Sequence, residues 1–474
     1  MSDGIVVGSG PNGLTCAAVL ARAGMRVTVL EAEATIGGGT RTSEPTLPGL
    51  LHDDCSAVHI MAVGARSLNE LELERHGLEW CWPEVDLAHP LDGGRGGSLV
   101  RSLTDTASGL GEDGRAWRRL FGSPSRGFAA LSEDIMRPVL HVPRHPLRLM
   151  RFGVPAAMPA SLLARAFATE EARALFGGCA AHAFSPLSRL MSSSVGMALI
   201  CAGHQYGWPV ARGGSRAISD ALAAVVREHG GNLQTGRRVV TLSELPPADA
   251  VVFDLAPGSV ADITAEKLPP RVARAYRRYR YGPGAFKVDL AVAGGVPWAS
   301  EAARRAGTVH AAGSFDEIVV AEREINRGRM PERPFVVVCQ QSLADPTRAR
   351  DDVHPVWSYA HVPHGYRGDA TEALLDQIER FAPGLRERIL ATSVRSTDDI
   401  ASHNANYVGG DIITGANTPV QTVIRPRLAV DPYSTGIPGV FICSAATPPG
   451  AGAHGMNGYN AARSVLNSVS LRPR

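Results

Sequence analysis

The sequence predicts an α/β protein, and this prediction depends on three features of the first 31 residues. A short apolar strand covers residues 4–7, an alanine-rich helix covers residues 14–23 and ends at Gly24, and a second strand covers residues 26–30. The turn between the first strand and the helix reads GSGPNG over residues 8–13, which fits the pattern G-x-G-x-x-G. Strand, glycine-rich turn, helix and strand in this order indicate the start of a Rossmann-type nucleotide-binding sheet.

Each glycine of this turn has its own physical role. Gly8 allows the tight turn, Gly10 lets the backbone approach a pyrophosphate, and Gly13 lets the helix and the strand pack closely. The N-terminus of the helix, with Pro11 and Asn12 in the turn before it, offers backbone amides and the positive end of its dipole to the phosphates. We therefore predict that residues 8–13 bind the pyrophosphate of an adenine dinucleotide.

An acidic residue stands at the end of the second strand. The carboxylate of Glu31 is placed to accept hydrogen bonds from a ribose 2′-hydroxyl, and Ala32 follows it at the same site. A carboxylate at this position would repel a 2′-phosphate, so the sequence disfavours NADP.

A second glycine run favours FAD over NAD. It reads GGGTR over residues 37–41, a few residues past the ribose-binding acid. The amides of Gly38, Gly39 and Thr40 and the guanidinium of Arg41 can reach the pyrophosphate from its other side, which suits an extended dinucleotide. The alternative is a flexible loop with a solvated arginine.

The same glycine pattern recurs at residues 109–114 without its structural context. No apolar strand precedes it, and residues 104–108 are typical of a loop. We predict a turn that binds no nucleotide.

Composition and charge exclude several classes of protein. A chain of 474 residues exceeds one ordinary core, and a net charge of +2 without a block of like charges does not predict nucleic-acid binding. Seven cysteines lie scattered without a C-x-x-C, and fifteen histidines show no zinc-binding spacing. We expect reduced thiols, no metal site and a cytoplasmic location. No apolar run approaches the ~20 residues that a membrane-spanning helix needs.

Longer motifs extend over nearly the whole chain. They read LHDDCSAVH at 51–59, GHQYGWP at 203–209 with GGS at 213–215, WSYAHVPHG at 357–365 and FICSAATPPGAGAHGMNG at 441–458. With the N-terminal glycine motif and residues 37–42, they make the chain similar to FAD-dependent oxidoreductases related to phytoene desaturase. These belong to the wider flavin amine oxidase superfamily.

The recurrence of Rossmann-type segments predicts two interleaved domains. Residues 1–75, 205–260 and 401–474 would form a glutathione-reductase-like FAD-binding domain, with a helix at 215–228 and strands at 238–242 and 250–255. Residues 76–204 and 261–400 would form an α+β substrate domain with strands at 286–292, 335–340 and 356–361. By the resemblance, the predicted strand at 238–242 passes the adenine, so the backbone of Val239 is a cofactor contact.

The C-terminal motif predicts a strand at 440–444, a glycine-rich turn at 450–458 and an amphipathic helix at 459–469. Amides at a helix start can stabilise negative charge on a reduced flavin. The resemblance implies that this segment closes over the isoalloxazine, which makes Ser444, Gly455 and Met456 candidate FAD contacts.

Catalytic side chains are harder to predict than the cofactor. His59, His204, Trp208 and His454 lie in the motifs expected to face the flavin, and each has the alternative of a hydrogen-bonded position in the core. No base is assigned, and His59 and His454 remain the catalytic candidates. His204, Trp208 and Arg212 are substrate-binding candidates, although Arg212 could equally cap the loop before residue 215.

Two classes of function remain open. The first is a flavoenzyme that desaturates, oxidises or isomerises a hydrophobic small molecule, with an amine or amino acid oxidase as the alternative enzyme. The second is a non-catalytic scaffold that holds FAD. Residues 137–167 alternate arginines with apolar side chains, which fits either peripheral contact with a membrane surface or a lid of the substrate domain, although five prolines interrupt the helical period.

Overall fold

The computed structural model describes residues 2–470 of the chain, excluding the side chain of residue 470. Its strands are β1 (Asp3–Val7), β2 (Arg26–Leu30), β3 (Thr42–Ser43), β4 (His52–Asp53), β5 (Trp80–Cys81), β6 (Val85–Pro90), β7 (Gly96–Leu99), β8 (Val210–Ala211), β9 (Asn232–Gln234), β10 (Ala250–Phe253), β11 (Gly284–Ala293), β12 (Ala306–Ala311), β13 (Val336–Cys339), β14 (Val353–Val362), β15 (Ile389–Arg395) and β16 (Val440–Ile442).

Its α-helices are α1 (Pro11–Arg22), α2 (Ile60–Val63), α3 (Arg66–Glu70), α4 (Leu103–Gly109), α5 (Gly114–Arg126), α6 (Phe128–Ile135), α7 (Pro146–Ala157), α8 (Ala160–Leu163), α9 (Glu170–Ala181), α10 (Ser193–Tyr206), α11 (Arg216–Glu228), α12 (Pro257–Thr264), α13 (Pro270–Arg277), α14 (Glu301–Arg305), α15 (Phe315–Ile325), α16 (Thr371–Phe381), α17 (Leu385–Arg388), α18 (Thr397–His403), α19 (Pro419–Val423) and α20 (Met456–Ser470).

The first large sheet is parallel and has helices on both faces. Its strand order is β16-β10-β1-β2-β9. Helices α1, α11 and α20 bury one face, and α12 and α13 bury the other. Strands covered on both faces need apolar side chains in succession, and β10 is buried throughout. The predicted Rossmann-type α/β fold is confirmed.

The second large sheet is mixed, with the order β15-β11-β14-β13-β12-β6-β7 and a parallel pair only between β6 and β12. Successive side chains of a strand point to opposite faces. Val336 and Val338 therefore pack beneath α16, whereas Val337 and Cys339 face the large core that α5, α9 and α10 build. The strands predicted at 286–292, 335–340 and 356–361 are confirmed.

The two sheets draw on different parts of the chain. The parallel sheet uses residues 3–30, 232–253 and 440–442, and the mixed sheet uses residues 85–99 and 284–395. These ranges fall within the two predicted domains, whose boundaries stay a prediction.

A buried ionic cluster joins the β3–β4 hairpin to the strand before α11. The guanidinium of Arg348 contacts Asp53 at 2.6 Å and Asp345 at 3.2 Å, and it donates to the carbonyl of Ala211 at 2.6 Å. Asp53 also accepts the backbone amide of Ser215 at 2.6 Å, directly before α11. All three charged side chains are at most 1% exposed, so each charge depends on its partners.

Two predicted local structures are wrong. Residues 238–242 form no strand: the chain pairs with β2 through β9, turns at Gly236 and leaves the sheet before Val239. Residues 104–108 are helical, because the hydroxyl of Ser102 caps α4 by accepting the amide of Asp105. The glycine pattern at 109–114 is then the junction between α4 and α5.

Candidate functional site

A cavity of about 840 Å³ lies between the carboxyl ends of the parallel strands and the inner face of the mixed sheet. One side is built from the loops after β1, β2 and β10, and the other carries β13 and β14 side chains such as Val337, Trp357 and Tyr359. The predicted site residues that line it are Gly8, Gly10, Pro11, Asn12, Glu31, Ala32, Gly38, Gly39, Thr40, Arg41, Trp208, Val239, Ser444 and His454. Ligands of open α/β sheets bind at this edge.

The glycine turn between β1 and α1 has no room for side chains. Gly8 has a φ of 99°, in the left-handed region that favours glycine. A Cβ on Gly13 would lie 2.2 Å from the carbonyl oxygen of Gly8. Gly13 does not line the cavity but holds α1 against the turn, as predicted for the third glycine of the motif.

Glu31 is fixed at the edge of the cavity. One carboxylate oxygen accepts the backbone amide of Ser9 at 2.9 Å and its hydroxyl at 2.5 Å, and the other accepts the amide of Glu33 at 2.9 Å. These bonds tie the glycine turn to the end of β2, so Glu31 organises the site as well as lining it.

Arg41 differs from its expected role as a free pyrophosphate ligand. Its guanidinium donates to the carbonyl of Thr35 at 2.9 Å and to the carbonyl of His403 at 3.1 Å, and it lies 3.5 Å from Glu31. Because these partners hold the group, Arg41 fixes the second glycine run against the end of α18.

Sequence reasoning missed Asp254, which follows β10 and occupies the centre of the glycine turn. Its Oδ2 accepts the amide of Gly13 at 2.9 Å and lies 2.6 Å from the point that a Cβ on Gly10 would occupy. Burial raises the pKa of Asp254 to about 7, and the charge of Glu31 adds to this effect. A carboxylate directly after the strand beside β1 was the available signal.

We predict that FAD affinity falls as the pH rises through about 7, because an ionised Asp254 would repel the pyrophosphate beside it. Asp254→Asn should bind FAD more tightly above that pH, with a flatter pH profile. The other ionisable groups that interact with Asp254 are Glu31, Cys443 and Tyr407, all unchanged in this variant.

Titration of the apoprotein with FAD at several pH values measures this effect. An equally steep pH profile in Asp254→Asn would show that another group controls it. The free energy of unfolding depends on pH in the same direction. Because the folded protein raises the pKa of Asp254 above its ordinary value of 3.8, the stability that this residue contributes at low pH is lost as the pH rises from about 3.8 towards 7.

The C-terminal glycine loop lines the cavity through residues 450–454 only. Gly455 has a φ of 66°, and a Cβ there would lie 2.3 Å from the hydroxyl of Thr15 on α1. The amide of Met456 donates to Nδ1 of His454 at 3.1 Å. Gly455 and Met456 therefore pack α20 against α1, and the structure does not place them at the cavity as the resemblance implied.

Two buried oxygens on the parallel-sheet side fit a dinucleotide. Ser444 Oγ and Asn12 Oδ1 are buried without a hydrogen-bond partner among the described residues, and both residues line the cavity. Unpaired buried polar atoms are costly unless a ligand or water satisfies them. Together with the crowded glycines, they fit a dinucleotide such as FAD on this side of the cavity.

Three predicted catalytic or substrate residues lie away from the cavity lining. His59 Nε2 is 2.8 Å from the hydroxyl of Ser215, and burial lowers the pKa of His59 to about 4. His204 accepts the indole N–H of Trp117 at 3.0 Å. Arg212 is exposed and pairs with Glu79 at 2.9 Å. The contacts of His59 and His204 match the core alternatives of the sequence analysis, whereas Arg212 forms an ion pair at the surface.

The fold and the cavity fit a protein that binds a dinucleotide, and known proteins are similar to this chain. Residues 6–70 match the family described as NAD(P)-binding Rossmann-like domain. The chain is 24% identical to pyridine nucleotide-disulfide oxidoreductase domain-containing protein 2 of Rattus norvegicus, over 98% of this chain and 94% of the relative. It is also 24% identical to hydroxyneurosporene desaturase of Cereibacter sphaeroides, over 99% and 98%.

Among solved structures, a putrescine oxidase variant superposes with a TM-score of 0.63 at 17% identity, over 99% of both chains. The resemblance drawn from the motifs is confirmed. The chain therefore resembles the FAD-dependent oxidoreductases of the amine oxidase/desaturase superfamily over its whole length, and the glycine turn with Glu31 fits FAD as the cofactor.

Proposed function

We propose that this enzyme desaturates, oxidises or isomerises a hydrophobic small molecule such as a polyprenoid, a lipid or a secondary metabolite. The observation that carries the proposal is the lining of the cavity opposite the glycine turn. Apolar and aromatic side chains dominate there, among them Phe152, Leu199, Val337, Trp357 and Ile413. Such a wall binds a ligand by burying its apolar surface.

Bound FAD supplies the hydride acceptor at N5. The side chains of this protein orient the substrate and exclude water. Tyr359 and Tyr407 line the cavity, and burial holds the pKa of each phenol well above its usual range. Both therefore stay protonated and can donate hydrogen bonds but cannot serve as bases at neutral pH.

We also propose which residues hold FAD. Gly8, Gly10 and Asn12 would face the pyrophosphate, Glu31 the ribose and Val239 the adenine. Ser444 and the 450–454 loop would contact the flavin half. His454 is the remaining catalytic candidate that lines the cavity, although burial lowers its pKa to about 4 and leaves it neutral.

An amine oxidase is the second candidate, supported by the fold of putrescine oxidase. The distribution of charge disfavours it. The carboxylates that line the described cavity are Glu31, Glu33, Asp254 and Asp262, and all four follow β2 or β10 or lie in α12 on the nucleotide side. A cationic amine would find no carboxylate against the mixed sheet.

Anaerobic reduction tests this function. The FAD-loaded protein is mixed with polyprenoids, long-chain fatty acids, long-chain alcohols and amines, and flavin absorbance and product masses are recorded. We expect bleaching or product formation with hydrophobic compounds and none with short amines. Reduction by amines alone would establish the amine oxidase. Ligand binding with neither reduction nor product would support a non-catalytic scaffold.

We further propose that the surface around α7 contacts a membrane. Val142, Leu147 and Val154 are 88%, 67% and 64% exposed, and the exposed Arg148 and Arg151 lie among them. The preceding residues 137 and 139 line the cavity, so a lipophilic substrate could enter there. None of the helices within residues 2–470 is long and apolar enough to cross a membrane.

Co-sedimentation with anionic vesicles measures this contact. We expect Leu147→Glu to lower the bound fraction severalfold, because it removes apolar surface and adds a repelled charge. Leu390→Glu, at an exposed apolar position on β15, is the matched control and should bind like the wild type. Equal binding of the two variants would rule out the α7 surface.

A further inference from the structure

Three histidines form a row from the interior of the mixed sheet to the cavity wall. His89 lies on β6, His310 lies on β12, and His182 follows α9. His89 and His310 are fully buried, whereas His182 lines the cavity. The Nε2 atoms of His182 and His310 are 2.9 Å apart, so one of them donates a hydrogen bond to the other.

The direction of this bond follows from the inner end of the row. His89 Nε2 is 2.8 Å from the carbonyl of Gly313, which can only accept, so the proton of His89 is on Nε2 and its Nδ1 is a lone pair. Nδ1 of His89 and Nδ1 of His310 lie 2.8 Å and 2.4 Å from the same point, the place of a Cβ on Gly178. Neither atom has a hydrogen-bond partner in the described chain.

Two neighbouring lone pairs repel each other, whereas an N–H beside a lone pair is favourable. We therefore assign the proton of His310 to Nδ1, which makes its Nε2 the acceptor. His182 must then donate from Nε2, which leaves its Nδ1 unprotonated. No hydrogen bond joins this Nδ1 to another group of the described chain, and the ring borders the cavity.

The whole row is neutral. Burial lowers the pKa of His182 to about 3 and of His89 to about 4, and it lowers the pKa of His310 well below its usual range. The neighbouring pair of His361 and Glu322, 2.5 Å apart, is also uncharged, since burial raises the pKa of Glu322 well above its usual range and lowers that of His361 to about 3.

We propose that Nδ1 of His182 accepts a hydrogen bond from a hydroxyl group of the substrate. This inference rests on the proposed function and narrows it to a hydrophobic molecule that carries an alcohol. A carbonyl or ether oxygen can only accept a hydrogen bond, so it would face the lone pair of His182 Nδ1 without a proton between them. A hydrocarbon that covers the cavity wall would leave this nitrogen without a partner, which is the basis of discrimination between the two.

Ligand binding to the FAD-loaded protein tests the proposal, with geranylgeraniol and its methyl ether as probes. The perturbation of the flavin spectrum reports Kd for each under anaerobic conditions. We expect the wild type to bind the alcohol about tenfold more tightly than the ether, because only the alcohol donates. His182→Leu should bind the two equally. His182→Asn, whose amide oxygen can replace Nδ1, should keep part of the preference.

A second variant protects the test against misfolding of His182→Leu. His310→Leu removes the partner that fixes the His182 tautomer, so the preference should shrink while ether binding is unchanged. Equal binding of alcohol and ether by the wild type, or an intact preference in His182→Leu, would overturn the inference alone. Failure of both probes to bind, with spectral shifts from amines, would overturn the proposed function as well.

Discussion

Gly13→Ala should give a folded protein that no longer retains FAD. The added Cβ would lie 2.2 Å from the Gly8 carbonyl and 3.0 Å from the Asp254 side chain, and the backbone carbonyl cannot move aside as the end of a flexible side chain can. The turn must open, so several amides that converge on the pyrophosphate separate together. We expect a loss of about 3 kcal/mol, or roughly a hundredfold in Kd for FAD.

The flavin content of the purified protein and a titration of the apoprotein measure this loss. Gly258→Ala is the matched control, because a Cβ there meets nothing within 4 Å, close to the same end of the sheet. Its FAD content should equal that of the wild type. Normal FAD affinity in Gly13→Ala, with an unchanged circular dichroism spectrum, would contradict the role given to the glycine turn.

Arg348→Met should destabilise the protein by about 3 to 5 kcal/mol, the usual cost of removing one partner from a buried ion pair. The variant leaves the carboxylates of Asp53 and Asp345 buried without their shared cation. The loss should be smaller at low pH, because protonation removes the unpaired charges.

Denaturant unfolding of the FAD-loaded protein at two pH values measures both effects. Arg212→Met is the control for the same chemical change at the surface, where the pair with Glu79 is open to solvent and its loss should be undetectable. Equal stability of the two variants would mean that water or rearrangement compensates the buried cluster.

The features that the sequence revealed are those that the local backbone requires. The glycine turn, Glu31 and α1 could be predicted because their roles depend on residues within one βαβ unit. The strand prediction at 238–242 failed for a physical reason: its Val-Val-Thr-Leu run has high strand propensity, but β2 pairs with the polar Asn-Leu-Gln of β9.

The features that the sequence did not reveal depend on contacts between distant residues. Asp254 meets the turn across 241 positions, and His182 meets His310 across 128. A pattern within a short stretch of sequence cannot predict contacts between positions so far apart. For the same reason, the surface partner of Arg212 and the core partner of His204 could not be distinguished from a substrate.

The content of bound flavin tests the central claim most directly. The protein is purified, its flavin is released by acid, and the released compound is identified and counted against the protein. The structure predicts one non-covalent FAD per chain, held by the site around the glycine turn and Glu31. A folded protein that binds no FAD after incubation with excess cofactor, or that binds NAD in its place, would contradict the account.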